Sequence, residues 1–414
     1  MVARVCEWMK ICCRLSTHTI VRVMQDRLDG AVVLAALQVA LCVACEPSET
    51  GDTGPVATSV ATGDGDPSGS GDGDGDEEGS NGDGDPSGSG DGDGDPSSGD
   101  GDGDPSSGDG DGDPGPADNA CPEGLEGQVP TLQGLNFQLV ATPPNDGFPD
   151  NGAFEILEGP VWIDGTLYVS HIAGGGPPPK SRILALVGGN LEEFWAQAGS
   201  NGLAVDPLGR MLVARHSDGS VSRIELDAPG EATPLVSSYE GQRFNSPNDL
   251  ALSSAGHLYF SDPNWQAPNP NPQTDERAYY LLEGSGEAVA FASEVDKPNG
   301  VLLSLDESRV YVGGTGGLYA YALAEDGSAG SGTQVQGVWG GVDGMTKDCA
   351  GNLYLTLTGQ VMVLDPGHQM LGTLNLPEVT NLAFGGPDRR TLYATTLQDP
   401  GLHAVELDIP GFAY

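Results

Sequence analysis

Residues 201–214 read NGLAVDPLGRMLVA: a polar residue, a short apolar run, a Gly/Asp turn and a second apolar run. The same plan recurs five more times. It opens at Glu158 (EGPVWIDGTLYVS), Asn248 (NDLALSSAGHLYFS), Asn299 (NGVLLSLDESRVYVGG), Asp343 (DGMTKDCAGNLYLT) and Asn381 (NLAFGGPDRRTLYAT). In chain order the leading residues are 43, 47, 51, 44 and 38 positions apart. Each unit continues into further strand-like runs, such as Val221–Leu226, Ala278–Leu282, Leu318–Leu323 and Gln360–Asp365. Helical periodicity is absent, and runs rich in Val, Leu and Tyr alternate with Gly/Asp/Asn turns. Units of about 40–50 residues holding about four short antiparallel strands are propeller blades. Six units therefore predict an all-β, six-bladed β-propeller. The last unit runs out one strand short, and Leu135–Ala141 (LNFQLVA), ahead of the first unit, would supply that outer strand and close the ring. A β-sandwich does not explain one motif recurring six times.

Outside the repeats the composition changes abruptly. The 414-residue chain has a formal net charge of −43, of which residues 46–119 contribute 22 acids and no base. Residues 1–45 carry five Lys/Arg against three acids, and 120–414 keep a net of −23. Of 25 aromatic residues only Trp8 precedes residue 120. The chain thus divides into a leader (1–45), a spacer (46–119) and one globular domain (120–414) large enough for a substantial core. An acidic domain on an acidic spacer repels phosphate, so no nucleic-acid partner is expected. Only one apolar run exceeds ten residues, which excludes a multi-pass membrane protein.

That run, Ala31–Ala44, follows Arg22 and Arg27 and ends at Cys45, the pattern of a secretory signal. Cys45 after Val43-Ala44 resembles a lipobox cysteine, although Cys42 stands where an aliphatic residue is usual. The expectation is an exported protein lipidated at Cys45 and anchored at a bacterial membrane or cell surface, with Met24 a candidate true start. The spacer is built on GDGDPSSGD and has no recurring large apolar residue, so it reads as a disordered acidic tether. With the leader removed and Cys45 lipidated, Cys121 and Cys349 remain, and a disulfide between them is expected.

In a propeller the inner strand of each blade lines a central channel, so its leading residue recurs around one axis. Here that position reads Glu158, Asn201, Asn248, Asn299, Asp343, Asn381. Carboxylate and amide oxygens converging on an axis suit a hard cation such as Ca²⁺, or another divalent ion, and no His/Cys cluster favours zinc or copper. The plainer reading is that Asn and Asp merely start turns. Six recurrences, one of them a glutamate, argue for the cation.

The chain resembles the senescence marker protein 30/gluconolactonase family of six-bladed, calcium-dependent lactonases. The resemblance covers roughly residues 130–410 and rests on LEGPVW (157–162), NGLAVDPLGRMLVA, RFNSPNDLAL (243–252), YFSDP (259–263), KPNGV (297–301), VDGMTKDCAGNLY (342–354) and TNLAFGGPDRRTLY (380–393). It implies metal ligands at Glu158, Asn248, Asn299 and Asp343. A shorter RFND form in the family leaves Asn245 as an alternative to Asn248, and the repeat register favours Asn248. Asn201 and Asn381 are not family ligands and read as turn or blade contacts. Arg243 matches an arginine that contacts substrate in the lactonases, or is a surface arginine.

On this reading a metal-bound lactone carbonyl is attacked by water that Asp343 deprotonates. The loops His171–Lys180, Arg215–His216 and Trp265–Glu276 would set substrate choice, with Trp265 and His216 as substrate contacts. His171 or His216 is a candidate base, while a solvated loop histidine is the plainer reading of each. There is no G-x-S-x-G elbow and no H-E-x-x-H. The partner is a small lactone or ester and the expected state a monomer. The alternatives are a surface-displayed binding propeller that keeps calcium only for rigidity, and an aryl-ester or phosphotriester hydrolase on the same site.

Overall fold

The repeated D-x-x-G segments fold as hairpin turns closed by their own aspartates. In the second repeat, the Asp206 carboxylate accepts the N–H groups of Leu208 and Arg210 at 2.9 and 3.0 Å. In the fifth, Asp348 accepts those of Ala350 and Asn352, both at 2.9 Å. Each turn joins an inner strand to a second strand on which it folds back, Ser200–Val205 to Met211–Arg215 in one case and Met345–Lys347 to Leu353–Leu357 in the other.

The computed structural model describes residues 121–148, 154–174, 176, 178–397 and 399–412. The expected leader, Cys45 and the acidic spacer lie outside these residues. Among the described residues there is no helix, and six four-stranded antiparallel sheets form the six blades. Their inner strands are Glu155–Ile163, Ser200–Val205, Leu250–Leu252, Val301–Leu303, Met345–Lys347 and Val379–Gly385. The sixth blade takes its outer strand, Gln138–Ala141, from before the first blade. That strand pairs antiparallel with Leu402–Glu406 and closes the ring. An extra two-stranded hairpin, Ser238–Tyr239 with Gln242–Arg243, precedes the third blade.

The core is divided among the blade junctions, because each sheet is apolar on both faces. Val161, Ile163 and Ile183 of the first blade pack on Leu203, Met211 and Val213 of the second. Equivalent clusters lie at each following junction, and Leu157, Leu167 and Val169 meet Leu402 where the last blade joins the first. Burial of this kind at about 25 cal/mol per Å² is what holds blade to blade.

At the axis the leading dipeptides are not turns, contrary to the simplest reading of Asn-Gly. They lie within or just ahead of the inner strands, and their glycines let neighbouring blades approach. A Cβ on Gly202 would stand 2.5 Å from the Asn248 carbonyl oxygen, and one on Gly300 would stand 2.0 Å from that of Asp343. The blades are stitched there directly: the Gly202 N–H donates to the Asn248 carbonyl at 2.6 Å, and Gly344 N–H to that of Thr380 at 2.7 Å.

Cys121 and Cys349 are bonded, with Cα atoms 5.4 Å apart. Cys349 follows the inner strand of the fifth blade, so the bond lies at the opposite end of that strand from Asp343. Gly127 N–H to Ala350 O (3.0 Å) and Asn352 Nδ2 to Gln128 O (2.8 Å) continue the attachment of the entering segment.

Candidate active site

Three backbone features aim the leading residues at the axis. Glu158, Asn201 and Asn381 each stand at a bulge in the pairing of an inner strand with its second strand. Asn248, Asn299 and Asp343 stand two residues before their strands, where their N–H groups bond the second-strand carbonyls of Ser261, Gly313 and Thr356. Ahead of Asn248, the buried Asp262 carboxylate accepts the N–H groups of Asn245 and Ser246 at 2.8 and 2.7 Å, which fixes the approach of the RFNSPND segment.

The result is a cavity of about 610 Å³ whose floor includes Glu158, Asn201, Asn248, Asn299 and Asp343. The four ligand positions read from the sequence are thus brought together. Asn245 is not among them. Its side-chain amide donates to Asp275 O and accepts from Gln273 N–H, which leaves Asn248 as the residue facing the cavity. The sixth ring residue, Asn381, lies deeper, bordering a small recess with Asp249. Its amide is within hydrogen-bonding reach of both Glu158 and Asp249, in keeping with a blade contact.

The electrostatics are those of acids facing one another with little access to water. Burial, and next the charge of Asp343, push the Glu158 carboxyl well above the usual carboxylate range. Burial, and next the charge of Asp249, push Asp343 up to about 7, while a hydrogen bond from Asn299 acts the other way. A cation at the axis would relieve all three, because each carboxylate is unfavourable mainly for want of solvation and counter-charge. Asn201 Oδ1 is buried without a hydrogen-bond partner, a further oxygen available on the same floor. Among the described residues no three His, Cys, Asp or Glu side chains form a metal-binding cluster. The donor set is instead two carboxylates with amide oxygens, which fits a hard cation of irregular coordination better than zinc or copper.

Asp249 was missed in the sequence. Four of the six leading residues are followed by glycine, and the third blade breaks that rule with aspartate. The break was a readable signal. The Asp249 carboxylate accepts the N–H of Leu250 at 2.9 Å and that of Val301, in the next blade, at 3.2 Å.

The rim differs from expectation in several places. Trp265 lines the cavity and is 52 % exposed. Arg243 is not part of the lining: its Nε donates to Phe244 O at 3.0 Å and its Nη2 to His216 O at 3.1 Å. Neither histidine is solvated, which corrects that reading for both, and neither lines the cavity. His216 is fully buried, and burial together with Arg215 and Arg243 pushes it down to about 4. His171 lies inside the strand Thr166–Ala173. Arg182 Nε donates to its Nδ1 at 3.1 Å, so Nε2 carries the proton and donates to Glu155 Oε1 at 2.7 Å. That saturated pair is a strut of the first blade.

The family profile described as "SMP-30/Gluconolactonase/LRE-like region" matches residues 156–398. A gluconolactonase of Zymomonas mobilis is 27 % identical over 246 residues, covering 53 % of this chain and 69 % of the relative. A 6-deoxy-6-sulfogluconolactonase of Pseudomonas putida is 34 % identical over 187 residues, 42 % of this chain and 62 % of the relative. Among solved structures, a gluconolactonase of Xanthomonas campestris superimposes with a TM-score of 0.58 at 26 % identity, covering 68 % of this chain and 95 % of that one. With more than half of the chain matched by the family profile, this protein belongs to the SMP-30/gluconolactonase/LRE-like family.

Proposed function

We propose that the protein is a metal-dependent lactone hydrolase, opening a sugar-derived or similar lactone in the axial cavity. The observation that carries this reading is the pair of carboxylates, buried Glu158 and half-buried Asp343, on the floor of one cavity with Asn248 and Asn299. Lactonase relatives across most of the propeller support the substrate class. Glu158, Asn248, Asn299 and Asp343 would hold a divalent cation, Ca²⁺ being the ion their oxygen donors suit best. When bound, such an ion supplies Lewis acidity toward a carbonyl oxygen.

The chain's own residues would do the rest. Asp343 accepts a proton at a carboxylate oxygen from the attacking water, with Asn299 holding the group in place. A bond forms between the water oxygen and the lactone carbonyl carbon. The ring C–O bond breaks, the ring oxygen takes a proton, and a hydroxy acid leaves. The apolar wall of Phe154, Ile156 and Leu397 excludes bulk water from one side of the cavity. Export is part of the proposal: the Cys121–Cys349 bond suits an oxidising compartment, and Cys45 would carry the lipid anchor.

The test is hydrolysis of a lactone panel by wild type, Glu158→Ala and Asp343→Ala, each loaded with Ca²⁺ and checked for fold by circular dichroism. The wild type should turn over at least one lactone, and both variants should lose at least about 100-fold in kcat/KM, as removal of charge-stabilising groups does. Wild-type inactivity on lactones, aryl esters and phosphotriesters alike would leave a binding propeller as the better reading.

A further inference from the structure

The axial cavity is not a single compartment. A second cavity of about 260 Å³ adjoins it and shares Trp265, Asn299, Asp343 and Leu397 as common wall. Beyond that wall it is lined by polar groups of both hydrogen-bonding senses: Lys297, Thr315, Thr358 and Glu378. Its other flank is the loop from Val335 to Gly344. There Gly341 lines the cavity, and Trp339, two residues away, is 65 % exposed. Of the two exposed tryptophans only Trp265 lines the cavities, on the wall they share.

We infer that this second cavity is a subsite for a further sugar unit, so that the enzyme takes aldonolactones derived from disaccharides or longer sugars. The inference rests on the lactonase reading above. A lactone of one sugar has about a dozen heavy atoms and is small beside a cavity of the drug-sized range, about 300–1,000 Å³, to which the first already belongs. The reacting ring lies over Glu158 and Asp343, and its substituent has one polar recess to enter. A pyranose ring presents C–H groups on its faces and hydroxyls on its edge. The faces stack on Trp265, and the hydroxyls meet Thr315, Thr358, Glu378 and Lys297.

Charge selects a neutral substituent over an anionic one. Lys297 is already neutralised by Glu276 at 2.6 Å and lies 4.9 Å from the Trp265 ring centroid, which orients the indole. Glu378 adds a carboxylate to the same recess, with no ion-pair partner among the described residues. A sulfonate or phosphate would meet that carboxylate in a domain that is acidic throughout, whereas sugar hydroxyls can donate to it.

The experiment compares glucono-1,5-lactone with cellobiono-1,5-lactone, both above their spontaneous rates, in wild type, Thr358→Phe and Glu378→Ala. Both substituted side chains are exposed and border only the second cavity. The wild type should use the disaccharide lactone at least as well as the monosaccharide one. Thr358→Phe, which fills the recess, should lower kcat/KM for the disaccharide lactone tenfold or more. Glu378→Ala should lower it about fivefold through KM, and both variants should keep glucono-1,5-lactone hydrolysis within twofold. Equal effects on the two substrates, or no effect on either, would overturn the subsite while leaving the lactonase intact. Failure of the wild type on both lactones would overturn the lactonase reading and the subsite with it.

Discussion

Lys347 is a lysine buried inside a strand, 4 % exposed. Its ammonium donates to the Leu303 carbonyl at 2.9 Å and faces the Phe412 ring at 4.4 Å. Burial pushes its pKa down to about 8 from 10.5. The folded state therefore releases this proton earlier than the unfolded chain, and stability must rise with pH between those values. Below pH 8 both states are charged and the cost of burying the ammonium is fully present. Wild type measured against Lys347→Met by urea unfolding should gain up to about 3 kcal/mol as pH goes from 8 to 10.5. A pH-independent difference between the two would show that Lys347 is solvated in the folded state. Residues of this kind are hard to foresee. Nothing in MTKDC distinguishes a buried lysine from an exposed one, because the distinction lies in Leu303 and Phe412, which are distant in sequence.

At the level of strands, the repeat was legible because each blade needs the same alternation of apolar run and turn. The outer strand of the sixth blade was legible because one was missing. The axial dipeptides allowed a turn as the plainer alternative for a physical reason: Asn-Gly is favoured both by tight turns and by close backbone approach, and only the neighbouring blade decides between them. His171 was misplaced for a similar reason, since its strand extends to Ala173 and Arg182 and Glu155 pair with it from adjoining segments. The entering segment, by contrast, is fixed covalently, and its contribution is measurable. Reduction of Cys121–Cys349, or Cys121→Ser with Cys349→Ser, should cost about 2–4 kcal/mol of unfolding free energy. Lactone turnover at 25 °C should be unchanged, because the bond is at the far end of the inner strand from Asp343. A loss of turnover with the fold intact would mean that this end of the blade communicates with the floor of the cavity.

For the whole ring, six wedges share one axis, and three acids lie close to it: buried Glu158 and Asp249, and half-buried Asp343. Without a counter-charge their mutual repulsion acts against closure of the ring. Removal of divalent ions by a chelator should therefore lower the melting temperature, and Ca²⁺ should restore it. At a free concentration 100 times Kd the stabilisation is about 2.7 kcal/mol. Glu158→Gln with Asp343→Asn should melt at the same temperature with and without the chelator; an undiminished response in that variant would place the stabilising ion elsewhere. The axial set was the most readable part of the site, because one-residue-per-blade recurrence survives any uncertainty about loops. The rim was the least readable. Arg243 and His216 bond and pack through carbonyls and guanidinium groups that no local pattern announces.

The seam between Gln138–Ala141 and Leu402–Glu406 also sets an order of events. Delivered from its N-terminus, at the ribosome or at an export channel, the chain presents the first of these strands roughly 260 residues before the second. For that interval the early strand has no mate, and a neighbouring nascent copy offers an identical one. Exchange of this single strand between two chains is thus a misassembly open to the molecule, and a low concentration of chains during that interval favours each copy keeping its own.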